Sequence, residues 1–268
     1  TSSFDVFQVI TDVRDGVAVL TLDHAPANTY SYELMLQLDR CILAARFDDA
    51  VQVIVVTGAG DRFFCAGADI AMLQAVTPSF KYAFCLHANE TLRRLEETPK
   101  LTIAALNGHT VGGGLEIALA CDLRVGHAGA GKVGLPEVHL GVLPGTGGTQ
   151  RLTRAIGKSA AIELMVEGRQ LNMDEAAALG LINRLLEVAP GASFLDAALT
   201  YAGRFVPPNA ASQAVGLIKR ACQGGEFQSL DAGLALEREL QQRLFQSDDA
   251  AEGLAAYAEK RRPVFTGR

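Results

Sequence analysis

A chain of 268 residues, 49% of them hydrophobic, suffices for one large core with an appendage or for two small domains. Its net charge of −6, with no basic stripe interleaved with aromatics, argues against nucleic acid as a partner, and its apolar runs are broken before a membrane-spanning length. Five cysteines with no CxxC pair argue against a disulfide framework or a zinc ribbon and suggest a reducing compartment, the cytoplasm or the interior of an organelle.

Residues 1–15 carry Asp5, Asp12 and Asp15 and no basic apolar leader, so no signal peptide is expected in that stretch. "VFQVITDVRDGVAVLTL" predicts two alternating strands around an Asp15-Gly16 hairpin turn. In "SYELMLQLDRCILAARF", Leu34, Leu38, Cys41, Ile42 and Ala45 recur at helical spacing behind Ser31, a candidate N-cap. "VQVIVVTG" reads as a buried strand, "PSFKYAFCLHANETLRRLEE" as a long amphipathic helix, and "LTIAAL" as a second buried strand ended by Asn107-Gly108. "GGLEIALACD" reads as a short buried helix and "LRVG" as the strand after it. Strand and helix alternate repeatedly, which is the mark of an α/β chain. After residue 190 the pattern is helical only, with "NAASQAVGLIKRAC", "LDAGLALERELQQRLF" and "DAAEGLAAYAEKR" as three candidate helices. "FVPPN" at 205–209 is the expected joint, dividing 1–205 from 206–268.

"GHAGAGKVG" at 126–134 has the glycines of a phosphate cradle, but Val133 stands where a P-loop needs Ser or Thr for Mg²⁺. Pro136 and Pro144 leave little room for the helix on which both nucleotide motifs depend, and no Asp or Glu lies between Val138 and Ile162. The stretch therefore reads as a glycine-rich bend that delivers "GLPE" and its Glu137. The histidines at 24, 87, 109, 127 and 139 show no metal-ligand spacing, so no metal site is expected; His109 reads as structural, with a place in a ligand pocket as its alternative. Cys65 has no base in sequence to activate it.

"FFCAGADI" (63–70), "NGHTVGGGLEIALACD" (107–122), "GLPEVHLGVLPGTGGTQRL" (134–152) and "EKRRPVF" (259–265) together resemble the crotonase superfamily, in its enoyl-CoA hydratase branch. The resemblance runs from the first hairpin to the C-terminus. It implies an α/β spiral of ββα turns, with a C-terminal helical region that builds a homotrimer or a dimer of trimers. It implies an acyl-CoA thioester substrate and no cofactor beyond the coenzyme A carried by that substrate.

The same resemblance assigns residues. The amides of Ala66 and Gly113 would form an oxyanion hole for the thioester carbonyl; both sit in small-residue stretches, and a helix start at Gly113 favours developing negative charge. Glu116 and Glu137 match the hydratase pair: Glu116 would draw the proton from water and Glu137, protonated, would give one to carbon 2, with exchange through the shared water as the alternative. Glu116 lies among apolar residues in "LEIALA", where an unused carboxylate would be costly. Ala66, Gly67, Ala68, Asp69 and Ile70 would line the CoA path beside Ala25 and Ala27, and Tyr257 and Lys260 would reach a neighbouring subunit's CoA, a solvated charge being the alternative for Lys260. Gly147 and Gly148 would help place the water. Tyr30, Met72, Phe80, Phe84 and Leu135 are the expected acyl-pocket wall; Leu135 departs from the polar Gln of many hydratases. Keeping both glutamates favours a hydratase over its rivals, a 3-enoyl to 2-enoyl isomerase on the same fold or a non-catalytic acyl-CoA-binding subunit.

Overall fold

The computed structural model describes residues 8–268. The predicted hairpin appears as β1 (Gln8–Arg14) and β2 (Val17–Asp23), paired antiparallel; Val6 and Phe7 lie outside the described residues. Asp15 and Gly16 both take positive φ, 47° and 84°, as a two-residue turn that matches strand twist requires. Helix α1 (Tyr32–Phe47) starts where expected, with the Ser31 hydroxyl accepting from the Leu34 amide at 3.3 Å. Strands β3 (Val53–Gly58) and β4 (Phe63–Cys65) follow, then α2 (Ile70–Ala75) and the long α3 (Pro78–Glu96), capped by Thr77 with proline in its first turn. The chain continues through β5 (Leu101–Leu106), β6 (His109–Val111), the wholly buried α4 (Gly113–Leu119), β7 (Leu123–His127) and β8 (Val133–Gly134). After a 3₁₀ turn at Glu137–Leu140 come α5 (Gly148–Ile156), α6 (Lys158–Glu167), β9 (Gln170–Leu171), α7 (Met173–Ala178), β10 (Arg184–Leu186) and α8 (Phe194–Ala202). The three helices expected at the end are α9 (Ser212–Gly225), α10 (Leu230–Leu244) and α11 (Asp248–Glu259).

Two sheets organise these elements. The first runs β1-β2-β3-β5-β7-β10, parallel beyond the hairpin, and the second runs β4-β6-β8-β9. The continuous apolar runs of β3 and β5 follow from burial on both faces. Ile54, Val56, Ala104 and Leu106 face the core under α1, α3 and α4, whereas Val53, Val55, Ile103 and Ala105 pack with Phe194, Ala198 and Ala202 of α8.

Each turn of the spiral gives one strand to each sheet: β3 then β4, β5 then β6, β7 then β8. In the second sheet β4, β6 and β8 are parallel neighbours, with Phe63 opposite His109 and Val111 opposite Gly134. Their C-terminal ends therefore emerge at one edge, bringing together three segments far apart in sequence: 66–70, 112–116 and 135–137. The glycine-rich stretch at 126–134 is the bend between β7 and β8, and no long helix opens on its glycines. Helix α9 is docked by Lys219, which donates to the Lys100 carbonyl at 3.0 Å and pairs with Asp122 at 2.8 Å under almost complete burial.

Candidate active site

Helix α4 starts at that edge and places Glu116 in its first turn, 2% exposed. The carboxylate is met by donors from the loop ahead of α5. Oε1 accepts from the Thr146 amide at 2.8 Å and the Gly148 amide at 2.7 Å, and Oε2 accepts from the Thr146 hydroxyl. Burial pushes the Glu116 carboxyl above its ordinary range, while these hydrogen bonds and the charge of Arg151 pull it back. The Gly148 amide is thus used on Glu116 itself. Thr146, in "PGTGGTQ", is absent from the residues expected from sequence; the readable signal is a buried carboxylate, which must find donors nearby.

Glu137 opens the 3₁₀ turn after β8 and faces the same space across Gly112: a Cβ built on Gly112 would stand 3.1 Å from Glu137 Oε1. Its Oε2 is buried and meets no hydrogen-bonding partner among the described residues. Burial, with the nearby Glu116 charge as a smaller contribution, pushes this carboxyl up to about 7 against the pull of its own amide. Of the two acids, Glu116 has three donors to hold it ionised and Glu137 has an orphaned oxygen, which suits a proton carrier.

The oxyanion donors need a correction. The Ala66 amide donates to the Ala27 carbonyl at 3.0 Å and is not free. Ala68 sits opposite Tyr30 in a parallel bridge made by Tyr30 N to Gly67 O at 2.9 Å and Asp69 N to Tyr30 O at 3.0 Å, so its own amide faces the other way. The cause is Gly67, whose φ of 93° breaks the alternation of a regular strand between Ala66 and Ala68. Neither the Ala68 nor the Gly113 amide has an acceptor among the described residues. A Cβ built on Gly67 would stand 3.1 Å from the Gly113 amide, so the two segments nearly touch there.

These groups line one cavity of about 560 Å³. Ala66, Gly67, Ala68 and Ile70 form one side, Gly113 and Glu116 the floor, and Glu137 with Leu140, Val142 and Leu143 the opposite wall. Phe84 of α3 and the buried Tyr30 also line it, their ring centroids 5.9 Å apart.

The enoyl-CoA hydratase/isomerase family model matches residues 12–268. The chain belongs to that family. It is 36% identical over 95% of its length to a probable enoyl-CoA hydratase of Bacillus subtilis, of which the match spans 97%. It is 34% identical to a crotonyl-CoA hydratase of Syntrophomonas wolfei, covering 97% of this chain and 98% of the relative. An enoyl-CoA hydratase structure from Geobacillus kaustophilus superposes with a TM-score of 0.91 at 42% identity, covering 99% of this chain and 98% of that one. The fold is accordingly the α/β crotonase spiral with helices at the C-terminal end.

The remaining residues singled out from sequence lie outside the cavity wall. Ala25 and Ala27 belong to a turn clamped onto the 59–63 loop by Asn28, whose side-chain amide donates to the Ala59 and Phe63 carbonyls at 2.9 Å each. The Asp69 carboxylate caps α2 through the Met72 amide at 2.9 Å. Met72 does not reach the cavity, because its sulfur lies 3.4 Å from the Tyr32 amide. Leu135 is fully buried under Gly148, beneath the floor, and Phe80 is exposed, packing on Tyr32. His109 packs against Phe63 in a tilted arrangement, ring centroids 5.2 Å apart, and stays off the wall, whereas His139 is on it. Tyr257 is 86% exposed, and Lys260 ends α11 in the left-handed region. Among the described residues no cluster of His, Cys, Asp and Glu is placed to hold a metal, and no helix is long and apolar enough to cross a membrane.

Proposed function

We propose that this protein is an enoyl-CoA hydratase, which adds water syn across the 2,3 double bond of a 2-enoyl-CoA to give a 3-hydroxyacyl-CoA. The observation that carries the reading is two carboxyls in one largely apolar cavity, one held by three donors and one with an unpartnered oxygen, beside two amides without acceptors. The thioester carbonyl would accept from the amides of Ala68 and Gly113, the first replacing Ala66 as donor. Ionised Glu116 would take a proton from the water that attacks carbon 3. Charge then develops on the thioester oxygen, where two amides fixed in advance cost no reorganisation. Protonated Glu137 would give its proton to carbon 2 from the same face. Glu116 ends protonated and Glu137 ionised, and exchange with solvent resets the pair.

Ala66 to Ile70 would line the pantetheine path, with Asp69 shaping it as the cap of α2 and Ala27 holding Ala66 in place beside Ala25. Phe84, Tyr30 and the 140–143 loop would contact the acyl chain. The reaction calls for no cofactor beyond the CoA of the substrate. The exposed Leu230, Leu234, Phe245 and Leu254 of the last helices support a homotrimer or a dimer of trimers built by residues 206–268, with Tyr257 and Lys260 reaching a neighbour's CoA. Free thiols at all five cysteines suit the cytoplasm.

The test is turnover of crotonyl-CoA in H₂¹⁸O and, separately, in D₂O. ¹⁸O on carbon 3 and one deuterium on carbon 2 of the product are expected. Deuterium without net hydration would replace the reading with an isomerase, and tight binding without turnover would replace it with a binding subunit.

A further inference from the structure

Glu116 depends on a residue that the hydratase reading leaves unused. Thr146 donates to this one carboxylate twice, through its amide at 2.8 Å and through its hydroxyl. A threonine hydroxyl carries a single proton. With that proton directed at Glu116 Oε2, the Thr146 oxygen can only accept from its other neighbour, the Tyr30 hydroxyl, 3.4 Å away. The direction of the chain is therefore fixed: Tyr30 donates to Thr146, and Thr146 donates to Glu116.

Both partners are themselves held. Thr146 is 3% exposed, and Arg151 donates to its carbonyl at 3.3 Å while clasping Glu96 with two nitrogens at 3.1 Å and 3.0 Å. Tyr30 is 2% exposed, its ring lies against Phe84, and its hydroxyl stands over Gly113 so closely that a Cβ there would collide with it. The apolar Leu135 side chain lies beneath Gly148 and brings no donor to the carboxylate from that side.

We propose that Thr146 is the positioning residue of the general base, orienting the Glu116 carboxylate toward the water and keeping it ionised, with the Tyr30 hydroxyl fixing which way the Thr146 hydroxyl points. The inference rests on reading Glu116 as the base. The titratable and charged groups around it are Glu137 from the 3₁₀ turn, Arg151 from α5, Cys85 from α3 and Tyr30 from the segment before α1. Of these only Arg151 favours the charged form, so the Thr146 hydroxyl is a principal counterweight to burial. The Tyr30 contact is long for an O–H···O bond, and its effect is correspondingly smaller.

The experiment compares wild type, Thr146→Val, Thr146→Ser, Tyr30→Phe and Glu116→Gln. Hydration of crotonyl-CoA is followed against pH, and the Glu116 carboxyl is titrated by isotope-edited infrared difference against Glu116→Gln. Thr146→Val keeps the amide and the volume and loses the hydroxyl. It should lower kcat roughly ten- to hundredfold with KM little changed, since a hydrogen bond to a charged group is being removed. The acidic limb of its rate profile and its infrared titration should both move to higher pH. Thr146→Ser should restore both, and Tyr30→Phe should move them in the same direction by less. A Thr146→Val protein that folds and titrates like wild type would overturn the proposal, even if Glu116→Gln were inactive and the hydratase reading stood. The infrared titration needs no turnover, so even in the absence of hydration an unshifted Glu116 titration in Thr146→Val would overturn the proposal and a shifted one would support it.

Discussion

Two carboxyls of the same chemistry share one cavity, and the protein builds opposite surroundings for them. On the α4 side, Glu116 is 2% exposed and accepts from two amides and a hydroxyl, with Arg151 behind the loop. On the 3₁₀ side, Glu137 is less buried, yet one of its oxygens has no partner among the described residues. Burial pushes both upward; at Glu116 the donors and Arg151 pull back toward the charged form, whereas Glu137 is pushed up to about 7 with only its own amide opposing. The lesson is that hydrogen-bond supply sets the two carboxyls apart, and on the proposed reading this difference makes Glu116 the base and Glu137 the acid.

The largest expected effect comes from removing either acid. Glu116→Gln and Glu137→Gln should each lower kcat by about 100- to 10,000-fold while KM stays within a few-fold, measured by steady-state hydration of crotonyl-CoA. A change under tenfold in either variant would mean that the surroundings do not assign these roles.

A substitution on the floor between the acids should cost both stability and rate. Gly113→Ala drives a methyl into the Tyr30 ring and hydroxyl. Overpacking of this kind costs about 1–3 kcal/mol, and a thermal melt should show a Tm lower by several degrees. An unchanged Tm would show that Tyr30 has room to retreat, and would weaken its part in holding Thr146.

The smallest effect isolates the surroundings of Glu137. Its carboxyl is raised from 4.5 to about 7 on folding, so the unfolded chain releases this proton more readily. Wild type should therefore lose stability as pH rises from about 4.5 to about 7, and the penalty should level off above that. Glu137→Gln escapes the penalty. Urea unfolding should show the variant gaining about 1–3 kcal/mol on wild type at pH 8 relative to pH 4.5, the upper end being reduced by partial exposure. Equal pH dependence in both proteins would place the Glu137 carboxyl in the ordinary range.

The long elements were legible because their patterns span several turns or an unbroken apolar run, as in α1, α3, β3 and β5. Strands β4, β6 and β8 are two or three residues long, too short for any periodicity to register, and they exist because each pairs with the next. Glu116 and Glu137 were readable from the motifs around them. The choice between Ala66 and Ala68 was not, because it depends on how the segment pairs with Ala27 and Tyr30 and on the positive φ of Gly67. Thr146 was hidden for a similar reason, lying 30 residues beyond the carboxylate it serves. Met72 and Leu135 read as pocket wall from their apolar character, which fits a buried position under the wall equally well.

The most direct test of the contrast between the two acids is the pH dependence of kcat/KM for wild-type hydration of crotonyl-CoA, which reports the free enzyme's acid and base. The expected profile is a bell whose alkaline side begins to fall near pH 7, where Glu137 gives up its proton. A rate that stays level from about pH 6 to pH 9 would contradict it, because a Glu137 ionised throughout that range has no proton to give to carbon 2.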